Sequence, residues 1–244
     1  MDREKQFEQF LEECKNRNEW CGQGNPNAHI LIIGKEPYKK KLIPDPEIIR
    51  QLLQEQYDLC RSKKYGIADR KDNPTWINYQ KLIEKVFKEK KFNPKVFDFE
   101  KYVFTTELNT IFRPKAELDE ETRNNINKRL LFFKDSAFIK SFPVVILACN
   151  NFISNNEKKG FLINDTFGVE YDIDPDLEGK PKGEYKDNYK SGHWFYTHHG
   201  DNVKKLVIHT RQLSRLYDYV FLDDMAKIIR AHLANIGLID TSDF

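Results

Sequence analysis

Three short segments carry side chains able to do chemistry on a polar ring or on a phosphate. The first is Gly34-Lys35-Glu36-Pro37-Tyr38. Glycine and proline force a tight, irregular turn, which can aim backbone N–H groups and the Glu36 carboxylate into a pocket. An ordinary strand–loop junction with a solvated glutamate is the plainer reading of the same residues. The second segment is Glu107-Leu108-Asn109-Thr110. An asparagine offers one acceptor and two donors in a fixed plane, which matches the N–H and carbonyl edge of a pyrimidine. Asparagine also serves commonly as a cap or turn residue. The third is His209-Thr210-Arg211-Gln212-Leu213-Ser214. A histidine ending an apolar strand can donate a hydrogen bond to developing negative charge, or sit satisfied in the interior. Ser214 can cap the helix that follows, and a helix start can receive a phosphate.

Metal chemistry finds little support. His193, His198 and His199 lie close in sequence, but their spacing is not that of a zinc site, and a loop near the active face suits them better. Cys14, Cys21, Cys60 and Cys149 contain no C-x-x-C pair. They read as free thiols of a reducing compartment, against the sharper alternative of a four-cysteine iron–sulfur cluster. No metal and no other cofactor is expected.

These residues need strands to hold them. Apolar runs at 29–34 (HILIIG), 102–108 (YVFTTEL), 143–149 (PVVILAC) and 205–209 (KLVIH) are short and rich in Val and Ile, as buried parallel strands are. Helical spacing appears in the charged N-terminal stretch, in 47–61 after Pro46, in 76–92 opened by Asn73-Pro74-Thr75, in 119–140 and in 215–236, with Gly237 as a stop. The alternation predicts an α/β protein: a three-layer α/β/α sandwich around a central, mainly parallel four-stranded sheet. Residues 1–244 form one domain, with 1–27 as an N-terminal helical extension. The glycine-rich 160–192 region reads as a hairpin plus a long loop, within a variable insertion over 160–200. In open α/β sheets ligands sit beyond the carboxyl ends of the strands, where all three segments fall.

Composition sets the outer bounds. The 244 residues are 39% hydrophobic and 13% aromatic, enough for a core. Forty Lys and Arg against 38 Asp and Glu give a net charge of +2. That balance permits a nucleic-acid partner only if the basic residues gather on one face. No apolar run approaches the ~20 residues of a membrane span, and the N-terminus lacks an apolar signal core. A cytoplasmic monomer without membrane attachment is expected.

Taken together, the segments resemble the uracil-DNA glycosylase superfamily. Gly34 to Tyr38 is similar to the family's glycine-glutamine-aspartate-proline-tyrosine motif. Leu108-Asn109-Thr110 resembles the strand carrying the base-reading asparagine. His209, Leu213 and Ser214 match the histidine-proline-serine-proline-leucine-serine motif, and Pro74-Thr75-Trp76 resembles a DNA-contacting element. The resemblance implies DNA containing uracil or a related damaged base as partner. Glu36 and His209 would be catalytic: the carboxylate supports charge on the sugar or orients water, and the histidine faces the base carbonyl. Lys35, Tyr38, Asn109 and Trp76 would bind the base, with Tyr38 or Trp76 as the stacking aromatic. Pro37, Arg211, Leu213 and Ser214 would contact DNA, with Leu213 filling the gap left by the flipped base. The chain departs from the family pattern at Lys35 for glutamine, Glu36 for aspartate, Lys39 for histidine, and Thr210-Arg211-Gln212 for proline-serine-proline. A catalytically altered nucleic-acid-binding protein of the same fold is therefore the alternative. An enzyme acting on another small molecule is a third reading.

Overall fold

The computed structural model describes residues 1–35, 45–62, 73–87, 97–111, 117–156, 160–171, 189, 192–200, 204–215 and 219–240. The chain opens with helix α1 (Arg3–Arg17), started by Asp2, whose carboxylate accepts from Lys5 N–H at 2.9 Å. It ends at Asn18 in the left-handed region, φ 52°. Strand β1 (Gln23–Gly24) and the fully buried β2 (Ile30–Gly34) follow. Helix α2 (Pro46–Ser62) comes next, then α3 (Pro74–Val86), which Asn73 caps and Pro74 begins, as its sequence predicts. Strand β3 (Val103–Glu107) leads to α4 (Glu120–Asp135), capped by Asp119. The helix expected over 119–140 is instead two. Ser136 adopts an extended conformation, its N–H closes α4, and its hydroxyl opens the short α5 (Ala137–Lys140).

Strand β4 (Val144–Leu147) is followed by the small hairpin β5 (Asn155–Asn156) and β6 (Gly160–Phe161). Of the hairpin and long loop expected over 160–192, β6 belongs to the small hairpin, helix α6 (Leu162–Phe167) and edge strand β7 (Glu170–Tyr171) follow it, and 172–188, 190 and 191 lie outside the described residues. Strands β8 (Phe195–His199) and β9 (Leu206–Thr210) precede the last helix, α7 (Tyr219–Asn235). Gly237, at φ 73°, ends it: Leu238 N–H reaches Leu233 O and Gly237 N–H reaches Ala234 O, the paired bonds of a glycine-terminated helix.

The main sheet has seven strands in the order β1-β3-β2-β4-β9-β8-β7, and not four. The four strands expected from the sequence form its middle, and each pairs parallel with its neighbour. The others extend both edges antiparallel, which makes the sheet mixed. The two-residue strands β1 and β7 have no periodicity to read, and β8 falls in the stretch read as a variable insertion over 160–200. Alternation along the middle strands divides the core. Leu31, Ile33, Phe104, Val145, Leu147 and Val207 join α1, α2 and α4 to α6 on one face. Ile30, Ile32, Val103, Val144, Ile146, Leu206 and Ile208 join α3 and α7 on the other. Both faces are covered, which is why these strands read as unbroken apolar runs. Phenylalanines dominate the first face. Phe104 meets Phe138 edge-on at 5.1 Å, and Phe138 meets Phe142 likewise at 5.0 Å. Such pairs add ~0.5–1.5 kcal/mol each beyond their buried area.

Candidate functional site

Register brings the chemistry to one edge. Gly34 pairs with Glu107, Ile33 with Leu147, and Leu147 with His209, so the carboxyl ends of the parallel strands coincide. The absence of a Cβ at Gly34 leaves room for the Glu107 carboxylate, which a larger residue would have to displace. Past the strands the ladder continues. Leu108 N–H donates to Gly34 O at 2.9 Å and Asn109 N–H to Lys35 O at 2.8 Å. This ties Asn109 to Lys35. Asn109 is fully buried, and its Oδ1 accepts from Ile111 N–H at 3.3 Å, the local bond of a turn asparagine. The Lys35 ammonium stands 5.2 Å from the centre of the Phe152 ring.

After β4 the chain makes a 3-10 turn, Asn150–Phe152, with Asn150 at φ 53°. That left-handed residue presents its carbonyl to His209 Nε2 at 2.8 Å. A carbonyl only accepts, so Nε2 carries the proton. Nδ1 is then a bare lone pair, and it is buried with no hydrogen-bond partner among the described residues. Trp194 meets the ring edge-on at 5.0 Å and Tyr196 stacks at 6.3 Å. Burial lowers the His209 pKa to about 4, and the bond to Asn150 opposes the shift. The imidazole is therefore neutral at pH 7.

A cavity of about 290 Å³ opens beside it, lined by Lys35, Asn150, His193, Arg211, Gln212 and Ser214. His209 reaches this cavity through the Asn150 carbonyl that it holds. Arg211 is exposed and donates to Gly192 O at 3.1 Å. The lining is polar and carries two permanent cations, with room for a single planar ring and its attached groups.

Other expected residues fall elsewhere. Trp76, in the first turn of α3, packs edge-on against Phe99 at 5.3 Å and beside the apolar core. Leu213 is 1% exposed and belongs to the core of the α3/α7 face; its carbonyl accepts from Asn78 Nδ2 at 2.5 Å. A side chain so held does not stand out as a wedge for a flipped base. Ser214 lies in the 3-10 turn Leu213–Arg215 and lines the cavity; residues 216–218, which join this turn to α7, lie outside the described residues. Glu36, Pro37, Tyr38 and Lys39 lie outside the described residues. The four cysteines are free and buried. Among the described residues no group of three or more His, Cys, Asp or Glu side chains is gathered to hold a metal ion. No helix among them is long and apolar enough to cross a membrane.

Sequence reasoning missed Asn150 and Trp194, the residues that fix the His209 ring. Asparagine tolerates the left-handed region, but nothing in Asn150-Asn151 marks which of the two would adopt it. No protein-family model matches the chain, and no curated protein matches it.

Proposed function

We propose that the protein is a glycosylase of the uracil-DNA glycosylase type, which hydrolyses the N-glycosidic bond of uracil or a related damaged base flipped out of DNA. The observation that carries this reading is His209: a buried, neutral imidazole whose Nε2–H meets a carbonyl at the wall of a polar, cationic cavity. The β3-β2-β4-β9 order of parallel strands, with Lys35, Asn109 and His209 at one carboxyl edge, supports it.

In this mechanism the base carbonyl takes the place of Asn150 O as acceptor. The bond from sugar C1′ to the base nitrogen breaks, and its electron pair moves onto the base, where Nε2–H stabilises the negative charge on the carbonyl oxygen. Water adds its hydroxyl to C1′, and its proton ends on the departing base. Neutrality of His209 suits the role, because a donor that keeps its own proton stabilises the anion without being consumed. Glu36 is assigned to orient the water. Lys35 is assigned to the base, and Arg211 to a phosphate, a contact that positions the strand without reading sequence.

The burial of Leu213 favours a second reading, a nucleic-acid-binding protein of the same fold without excision. A cleavage assay on oligonucleotides carrying uracil or other deaminated bases, single- and double-stranded, separates the two. Alkali-labile abasic sites are the expected product. Retained binding with no product from any base selects the binding protein.

A further inference from the structure

The opposite edge of the sheet holds a larger cavity, of about 750 Å³, lined by Arg3, His29, Ser141, Pro143, Lys204, Asn235, Ile236 and Leu238. His29, Pro143 and Lys204 lie just before β2, β4 and β9. The cavity therefore sits at the amino ends of the parallel strands, apart from the site described above.

Its charge is one-sided. Arg3 donates Nε to Pro26 O at 2.7 Å and Nη2 to Ala28 O at 2.6 Å. Its guanidinium lies over the Phe142 ring at 4.3 Å. These contacts fix the group but do not neutralise it, and Nη1 stays available. Lys205 Nζ donates to Lys140 O at 3.1 Å, which brings a second lysine beside the cavity. Among the described residues no carboxylate pairs with Arg3, Lys140, Lys204 or Lys205. Desolvation, together with the Lys140 and Arg3 charges, lowers the Lys205 pKa to about 8. Burial and Arg3 lower that of His29. His232, packed against the backbone of Lys204 and Pro143, is lowered by burial and by His199. Cations crowded together without a counter-charge are costly unless an anion joins them.

The other wall is apolar. Pro143 and Ile236 line it with Leu238, a large hydrophobic side chain left 39% exposed. A bare inorganic ion would use little of this volume. A ligand with a planar or apolar body and a charged end would use both walls, and the volume lies in the usual range for such ligands. Arginine and lysine together favour phosphate at the charged end.

We propose that this amino-edge cavity binds a phosphate-bearing small molecule of nucleoside-monophosphate size, with the phosphate on Arg3 and Lys204 and the body against Pro143, Ile236 and Leu238. The proposal is independent of base excision at the carboxyl edge.

Isothermal titration of the full chain with adenosine and uridine 5′-monophosphates tests it. At least one should bind at sub-millimolar concentration, inorganic phosphate more weakly, and adenosine and uridine not detectably. Lys204→Glu, an exposed substitution that leaves the fold intact by circular dichroism, should weaken the nucleotide about tenfold or more. Near pH 8, binding should take up protons, seen as a heat that depends on the buffer's ionisation enthalpy, because the anion favours the charged form of Lys205, which burial and the Lys140 and Arg3 charges oppose. Absence of binding by both nucleotides, equal binding of the nucleosides, or an affinity unchanged in Lys204→Glu would each overturn the proposal. So would displacement of the nucleotide by a single-stranded oligonucleotide at lower concentration than the nucleotide itself, which would make the cavity a nucleic-acid contact.

Discussion

Arg129 and His209 are both buried beside the parallel strands, and the fold treats them in opposite ways. Arg129 comes from α4, with no exposed side-chain surface. Its Nη1 meets Glu19 Oε2 at 2.7 Å, Nη2 meets Trp20 O at 2.5 Å and Thr106 Oγ1 at 3.2 Å, and Nε meets Glu107 O at 3.4 Å. Phe133 and Phe132 lie against the guanidinium at 4.8 and 5.2 Å. Each nitrogen is used, and the fork joins the end of α1 to β3. His209 instead has one hydrogen bond, to a carbonyl at a cavity wall, and a bare Nδ1. Buried polar groups that serve the fold are satisfied, because leaving one unmade costs ~1–3 kcal/mol. His209 is held less completely: its one hydrogen bond, to the Asn150 carbonyl, can be exchanged for another acceptor without breaking the sheet.

The contrast yields graded expectations. The largest concerns Arg129. Arg129→Met leaves Glu19 buried without its cation and should cost about 3–5 kcal/mol, read as a lower urea midpoint. Adding Glu19→Gln should recover part of the loss. A single substitution costing less than ~1 kcal/mol would remove Arg129 from its structural role and weaken the contrast.

A somewhat smaller effect follows from the titration of His209. Its folded pKa of about 4 lies below the ordinary 6.5, so the unfolded chain binds the proton more readily in that window. Stability from this residue is present above pH 6.5 and is lost as pH falls towards 4, by about 3 kcal/mol in all. Half-buried His29 and buried His232 act in the same direction. The comparison of parent with His209→Gln across pH 7 to 4 isolates the share of His209: the difference should shrink or reverse on acidification. Parallel pH curves would mean that the ring titrates in the folded protein as it does in the unfolded chain.

Much of the frame was legible because its causes are local. Unbroken Val and Ile runs announced the middle strands, Asn73-Pro74 announced α3, and Gly237 announced the end of α7. What was lost depends on tertiary context. Ser136-Ala137 contains no strong breaker, so the split between α4 and α5 did not show. Leu213 reads as an apolar residue in a polar loop, and only the Asn78 bond and the α3 face turn it inward. Arg129 sits in a run, NKRLLFF, that gives no sign of which basic residue is buried. At the site, His209 and Asn109 were legible as strand-end residues. The direction of the His209 proton was not, since it depends on the left-handed turn at Asn150, nearly sixty residues away in sequence.

The most direct test is single-turnover release of uracil from a uracil-containing oligonucleotide, at saturating protein and fixed salt, by the parent and by His209→Ala. If Nε2–H stabilises charge on the departing base, the variant should cleave ~10²–10³-fold more slowly. Its affinity for the oligonucleotide should stay near that of the parent, because phosphate contacts dominate binding. A parent that releases uracil and a variant that releases it equally fast would contradict the assignment of His209.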